Sequence, residues 1–503
     1  MTTAEGNSGY SRGHTAREFR GNGRNPVSET LQLISDMVKY RVAVGQAACP
    51  TRTGLSPAGS NKCGHIAAIG SMNRDMNEAG RLPVALQVWD MVKTSKNNEE
   101  YKIEPAQRIT RLPPYLFGRL NALKHAKRQQ GADIIDLGMG NPMDSAPQIV
   151  IEKLCEAAKD PRNHRYSASK GITNLRREMV KKYARKWGVE LDAETEVLAC
   201  IGSKEGFSHL CLAMLGPGDT AVVPDPAFPI HNYGVVLAGA NVITVPLGND
   251  QKFLDTIAMV CEHLFPKPKL LILNYPHNPT AMTVDPGFFE PVVDLAKHFK
   301  FQVIHDFAYG ETLFDGYKAP SFLSTKGAKD VGVEFTTMSK PYNMAGFRIG
   351  FVAGNKQMIE YLATIKGYYD YGIFQAVQIA GIIAMRHCED DIAAQNLKYQ
   401  SRRDVLCDGL QRIGWQVEKP RASMFVWARV ADEHLNGKGT IDYALDLMDH
   451  AEVALAPGAA FGENGEGYMR IALVENEQRL RQAVRNISRY IQQRPIRKAK
   501  AAK

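Results

Sequence analysis

The sequence predicts an α/β fold with a mainly parallel central sheet of seven strands flanked by helices. Three observations carry that expectation. From about Glu104 onward, strand-like runs alternate with helix-like stretches, the order that α/β layering requires. Two runs, Leu270–Leu273 and Phe301–Ile304, are apolar nearly throughout, as strands covered on both faces are. Chemically distinctive residues stand where such runs end, and ligands of open α/β sheets gather at those ends.

Along the chain, Met1–Asn25 is rich in Gly, Ser, Asn and Arg, with acids only at Glu5 and Glu18. Such a composition cannot bury enough apolar surface to order itself, so residues 1–103 read as a largely disordered extension. It lacks the amphipathic Leu-Arg face of an organelle leader. Short apolar stretches at Leu31–Val44 and Val84–Val92 carry no chemistry. The candidate strands then follow in order: Glu196–Ile201, Thr220–Val223, Ala240–Val245, Leu270–Asn274, Gln302–His305, Glu334–Met338 and Ile349–Val352. Between them lie helical stretches such as Gly206–Leu215 and Pro286–Phe299.

Composition narrows the class. A chain of 503 residues exceeds what one core serves, so at least two packed domains are expected. Hydrophobic residues at 44% and charged residues at 23% exclude a collagen-like, coiled-coil or wholly disordered chain. No apolar run approaches the roughly 18 residues of a membrane span, so no membrane partner is expected. The formal charge of +9 comes almost entirely from eight Lys and Arg between Arg481 and Lys503, where no acid occurs. The body therefore offers no basic footprint for nucleic acid, and 494–503 reads as a solvated basic tail. Eight cysteines without a CxxC pair read as reduced thiols of a cytoplasmic protein. His387-Cys388-Glu389-Asp390-Asp391 fans out around a helix start instead of converging on an ion, so no metal is expected.

The chemistry lies in five motifs. In Thr337-Met338-Ser339-Lys340-Pro341 a strand ends on a lysine, and Arg348 follows eight positions later. A desolvated lysine can become a nucleophilic amine, whereas arginine stays charged and forks onto phosphate. Together they suit pyridoxal phosphate, although a plain loop pair is the simple alternative. In Ile304-His305-Asp306-Phe307-Ala308-Tyr309 an apolar strand ends in a carboxylate. Asp306 can keep a pyridine nitrogen protonated or merely cap the next segment, and Tyr309 can donate to a ring oxygen. Tyr275-Pro276-His277-Asn278-Pro279-Thr280 fixes Asn278 between prolines, where its amide can reach the same oxygen. Ile201-Gly202-Ser203-Lys204 opens a helix, and unpaired amides there suit phosphate, with Ser203 as a simple cap the alternative. Finally, Gly467-Tyr468-Met469-Arg470-Ile471-Ala472 puts an arginine in an apolar strand, where a buried arginine usually has a carboxylate to meet, with a structural ion pair the plain alternative.

Taken together, the residues from about Pro105 to Ile491 resemble the class I/II aminotransferases of pyridoxal-phosphate fold type I. The segments RLPPYLF, DLGMGNP, PHNPTA, HDFAYGETLFDGY, SKPYNMAGFRIGF and KPRASMFVWA look closest to the bacterial alanine aminotransferase branch and its neighbour, LL-diaminopimelate aminotransferase. The resemblance implies a large cofactor domain over 152–390 and a smaller α/β domain built from 104–151 and 391–493. It implies pyridoxal 5'-phosphate joined to the Lys340 amine, Asp306 at the ring nitrogen, and Tyr309 and Asn278 at the ring oxygen. Phe228 would stack on the ring. Ser203, Lys204 through its amide, Thr337, Ser339 and Arg348 would hold the phosphate, with Tyr166 arriving from the second subunit of a homodimer. Gly140 and Arg470 would bind the substrate α-carboxylate, and Tyr115 would approach its side chain. The chain departs from the family pattern at Ala281, Phe228 and Phe307, which bears on specificity more than on catalysis.

The implied reaction is ping-pong transamination between an L-amino acid and a 2-oxo acid, with L-alanine and 2-oxoglutarate giving pyruvate and L-glutamate. LL-Diaminopimelate, methionine or aromatic donors, and a carbon–sulfur lyase, are the alternatives. A regulator with a DNA-binding helix-turn-helix is disfavoured because the leader shows no basic recognition helix. A dinucleotide dehydrogenase is disfavoured because Gly138-Met139-Gly140 lacks the third glycine of its fingerprint.

Overall fold

The computed structural model describes residues 102–493. The expectations for 1–101 and for the basic tail lie outside the described residues. The first strand is β1, Ile135–Asp136. Seven more form one sheet: β2 Val197–Cys200, β3 Thr220–Asp225, β4 Asn241–Pro246, β5 Leu270–Asn274, β6 Gln302–Asp306, β7 Gly332–Thr337 and β8 Gly350–Gly354. Their order across the sheet is β2-β8-β7-β6-β5-β3-β4. Only β8 runs against its neighbours, so six strands share a direction and their C-terminal ends share an edge. Each of the seven candidate strands lies in this sheet.

Alternation explains why these runs are apolar. Leu271, Leu273 and Val303 point into one core, while Leu270, Ile272 and Ile304 point into another on the opposite face. Successive strand residues face opposite ways, so a sheet with helices on both sides needs apolar residues at every position. His305 and Glu334 break that rule, fully buried on adjacent strands. His305 Nδ1 lies 2.8 Å from Glu334 Oε2, and the Tyr183 and Ser321 hydroxyls donate to Glu334 Oε1. The buried carboxylate is thus supplied with partners, as burial of a charge demands.

Five helices border the site or pack beside it: α1 Leu116–Gln129, α2 Ser203–Met214, α3 Pro229–Leu237, α4 Glu389–Arg412 and α5 Glu477–Gln492. Helix α2 starts at Ser203, three residues before the expected Gly206. The helix expected from Pro286 starts at Phe289, because residues 286–288 form a turn. Glu389, Asp390 and Asp391 occupy the first turn of α4, where carboxylates meet the positive end of the helix dipole.

The remaining strands are β9 Gln416–Val417, β10 Phe425–Arg429, β11 Val453–Ala454, β12 Ala456–Pro457 and β13 Tyr468–Ala472. A four-stranded sheet runs β12-β13-β10-β9, and β1 pairs with β11. Ile135 and Leu137 share a core with Tyr399, Leu406, Phe425, Met469 and Leu480, so segments more than 250 positions apart bury one another. Among the described residues, no helix is long and apolar enough to cross a membrane, and the six described cysteines are free.

Candidate active site

A cavity of about 690 Å³ opens at the C-terminal edge of the large sheet. Every site residue expected from the sequence lines it except Tyr166. Tyr166 is 85% exposed, with its ring 4.6 Å from that of Tyr371.

One end of the cavity is built for an anion. Helix α2 begins directly after β2, so its first amides have no carbonyl one turn earlier to bond. The cap position of α2 is Gly202 and Ser203 is its first helical residue, which sets aside the simple cap alternative. Gly202 has φ +78, and a Cβ there would lie 2.2 Å from the Arg348 guanidinium. A Cβ on Gly350 would lie 2.3 Å from the Ser203 nitrogen. Both glycines therefore let the helix start, β8 and Arg348 close up. The Thr337 hydroxyl donates to Ser339 Oγ at 3.0 Å. Burial, with Arg348 second, lowers the pKa of Lys204. Among the described residues neither Lys204 nor Arg348 has an acidic partner, and two cations beside free amides suit a phosphate.

In the middle, Asp306 ends β6 with Oδ2 2.9 Å from His231 Nε2. Asn274 at the end of β5 donates to the Asp306 carbonyl at 2.6 Å and accepts from the Asn278 N–H at 2.8 Å. Registered opposite Asp306, Asn274 joins the carboxylate strand to the Asn278 loop. Burial pushes the Tyr309 hydroxyl well above its ordinary range, so it is a donor at neutral pH. Phe228 presents its ring edge-on to His231, centroids 5.8 Å apart. Burial and His231 hold His277 down to about 3, so His277 is neutral.

At the other end, Lys340 Nζ donates to the Gly140 carbonyl at 2.6 Å. Burial first, then Arg470 and Arg348, lower its pKa to about 8, opposed by Asp306. The amine thus gives up its proton more readily than an exposed lysine does, as a nucleophile or base must. Arg470 is only 4% exposed. Its Nη1 donates to Asn278 Oδ1 and its Nη2 to the Gly138 carbonyl, each at 2.8 Å. Phe425, Phe461 and Phe117 surround it at 4.1, 4.6 and 5.8 Å. The structural ion pair that stood as the plain alternative for Arg470 is absent among the described residues, where its Nε also has no partner. Burial lowers the guanidinium to about 10, so it stays charged at neutral pH, held by carbonyls and π faces.

The family profile described as aminotransferase class I and II matches residues 132–487. The chain belongs to that family. Among its relatives, the glutamate-pyruvate aminotransferase AlaC of Escherichia coli strain K12 is 48% identical over 76% of this chain and 92% of its own length. An LL-diaminopimelate aminotransferase of Moorella thermoacetica is 42% identical over 77% of this chain and 99% of its own. Of solved structures, substrate-bound BacF from Bacillus subtilis superposes with a TM-score of 0.71 at 32% identity, covering 77% of this chain and 98% of that one. The fold is therefore that of the fold type I aminotransferases, and the protein is an aminotransferase acting on amino acids and 2-oxo acids.

Aminotransferases of this family use pyridoxal 5'-phosphate, and the residues present fit it. The anion cradle, the carboxylate of Asp306 and the depressed amine of Lys340 all face one cavity. Sequence reasoning missed His231 and Asn274, the two side chains that fix the Asp306 end. His231 lies three residues after Phe228, and the helical period of α3 could have flagged it. It also missed the rings around Arg470, which come from segments more than 300 positions apart and leave no local signal.

Proposed function

We propose that this aminotransferase moves the amino group of L-alanine to 2-oxoglutarate, releasing pyruvate and L-glutamate. The observation that carries the reading is Arg470: a buried guanidinium without a carboxylate of its own among the described residues is matched to the α-carboxylate that donor and acceptor share. The 48% identity to a glutamate-pyruvate aminotransferase supports the choice of pair.

In this reading Lys340, Asp306 and Tyr309 are the catalytic residues. Pyridoxal 5'-phosphate supplies an aldehyde that takes up the amino group and a ring that withdraws electrons from the breaking bond. Arg470 forks onto the α-carboxylate and fixes the face the α-proton presents. Lys340 Nζ removes that proton and later returns it, a task its pKa of about 8 suits. His231, 2.9 Å from Asp306 Oδ2, would hold that carboxylate for the ring nitrogen, while Tyr309 and Asn278 would donate to the ring oxygen. Ser203, Lys204, Thr337, Ser339 and Arg348 hold the phosphate, and Phe228 covers a ring face. Because one arginine serves both acids, the two half-reactions share a site and proceed ping-pong.

The outer wall of the cavity favours a second reading. Lys124, Asp136, Arg128 and Glu475 line it, and such polarity suits a donor with a charged far end, such as LL-diaminopimelate. Purified enzyme supplied with L-alanine and 2-oxoglutarate should release pyruvate. Turnover of LL-diaminopimelate alone would replace the first reading with the second, and pyruvate plus ammonia without an acceptor would indicate a lyase.

We also read the described chain as a large domain over 152–390 and a smaller one from 104–151 and 391–493, because the shared core of Ile135 and Leu480 draws on both flanks. Tyr166, exposed and outside its own cavity, is read as serving the phosphate site of a partner in a homodimer. Sedimentation of the holoenzyme tests that assembly. Free thiols throughout the described residues support a reducing, cytoplasmic location.

A further inference from the structure

Between β1 and the cavity runs the segment Leu137–Asn141, and two of its carbonyls receive the two working cations. Gly138 O accepts from Arg470 and Gly140 O from Lys340. What holds this segment is therefore felt by both. On its outer side the Leu137 N–H donates to the Ala454 carbonyl and the Leu137 carbonyl accepts from the Ala472 N–H, which fixes its start. The turn itself is held by a side chain: Asp136 Oδ1 accepts from the Gly138 N–H at 3.1 Å. Its other oxygen, Oδ2, is paired with Lys124 on α1. Lys124 is buried at 6% exposure, so this is no solvated surface pair, and removing one partner leaves an uncompensated charge.

We infer that Asp136, fixed by Lys124, is a positioning residue for Arg470 and thereby a determinant of α-carboxylate affinity. The carboxylate orients the Gly138 peptide, and that peptide's carbonyl orients the guanidinium fork. Neither Asp136 nor Lys124 touches the α-carboxylate itself. The inference rests on the reading of Arg470 under Proposed function.

The test uses the holoenzyme and propionate, a carboxylate with no amino group to react and no distal group to reach Lys124. Propionate affinity, the KM for L-alanine, kcat and thermal midpoint are measured for wild type, Asp136→Ala, Asp136→Asn and Arg470→Lys. Asp136→Ala should weaken propionate binding and raise the KM about tenfold, by loss of one orienting hydrogen bond to a peptide that itself holds a charge. Asp136→Asn keeps an acceptor for the Gly138 N–H but abandons Lys124, and should weaken propionate about threefold, less than the alanine variant because the hydrogen bond to the peptide survives. Either Asp136 variant binding propionate as wild type does, with only its thermal midpoint lowered, overturns the inference. If Asp136→Ala does not fold, the asparagine variant decides alone. Arg470→Lys separates the two levels: unchanged propionate affinity there overturns the reading of Arg470, whereas its loss beside intact Asp136 variants overturns the positioning role only.

Discussion

Arg470 Nη1 donates to Asn278 Oδ1 at 2.8 Å, so the residue assigned to the substrate carboxylate and the one assigned to the cofactor oxygen are one hydrogen-bonded unit. A shift of either moves the other. In the proposed reading, substrate binding at Arg470 would thereby be coupled to the donor set around the ring.

Arg470→Lys keeps the charge but loses the planar fork. Charge-assisted hydrogen bonds contribute about 1.5–3 kcal/mol each, so kcat/KM should fall by about two orders of magnitude for L-alanine and 2-oxoglutarate alike. Steady-state kinetics with each substrate varied checks this. A defect confined to one substrate contradicts a shared carboxylate site.

Lys340 gives a pH signature. Its amine is lowered to about 8 in the folded chain, below the value of about 10.4 expected in the unfolded chain. Between those pH values the unfolded chain binds more protons, so stability rises with pH across that window. The thermal midpoint of cofactor-free protein should therefore gain from pH 8 to pH 10 relative to Lys340→Met. Parallel curves for the two proteins would contradict the lowered amine.

His231→Phe removes the side chain that lies 2.9 Å from Asp306 Oδ2. We expect kcat to fall about tenfold, the effect of losing one hydrogen bond to a carboxylate at about 1.5 kcal/mol, while the cofactor stays bound. Turnover and the absorbance of the bound cofactor, measured on one preparation, separate these effects.

Gly202→Ala strains a residue at φ +78 and drives a methyl group into the Arg348 guanidinium. Cofactor affinity should drop by about tenfold or more, given a loss of about 1–3 kcal/mol for a displaced charged donor. Equilibrium binding of pyridoxal 5'-phosphate to the apoprotein is the check, with Gly216→Ala, where a Cβ meets nothing within 4 Å, as the neutral control.

The strands were legible because a doubly covered sheet demands apolar runs, and Leu270–Leu273 meets that demand at every position. Strand ends were legible through Lys340, Asp306 and Asn278, whose chemistry is out of place in a core. Paired positions were harder to read. His305 looked like part of an apolar run and is instead a buried partner of Glu334, 29 residues on, a match that no local pattern encodes. Two-residue strands such as Val453–Ala454 are too short for periodicity. Arg470 was legible as a buried cation with a carboxylate to meet, and the structure removes only the plain alternative of an ion pair within the described residues, because carbonyls and rings hold it.

The Lys340 amine is the one assigned to carry the cofactor. Borohydride reduction of the holoenzyme, digestion and mass spectrometry locate the lysine to which the cofactor becomes fixed. The account predicts a single modified peptide with the cofactor's mass on Lys340; the same mass on Lys204 or any other lysine, with Lys340 unmodified, would contradict it.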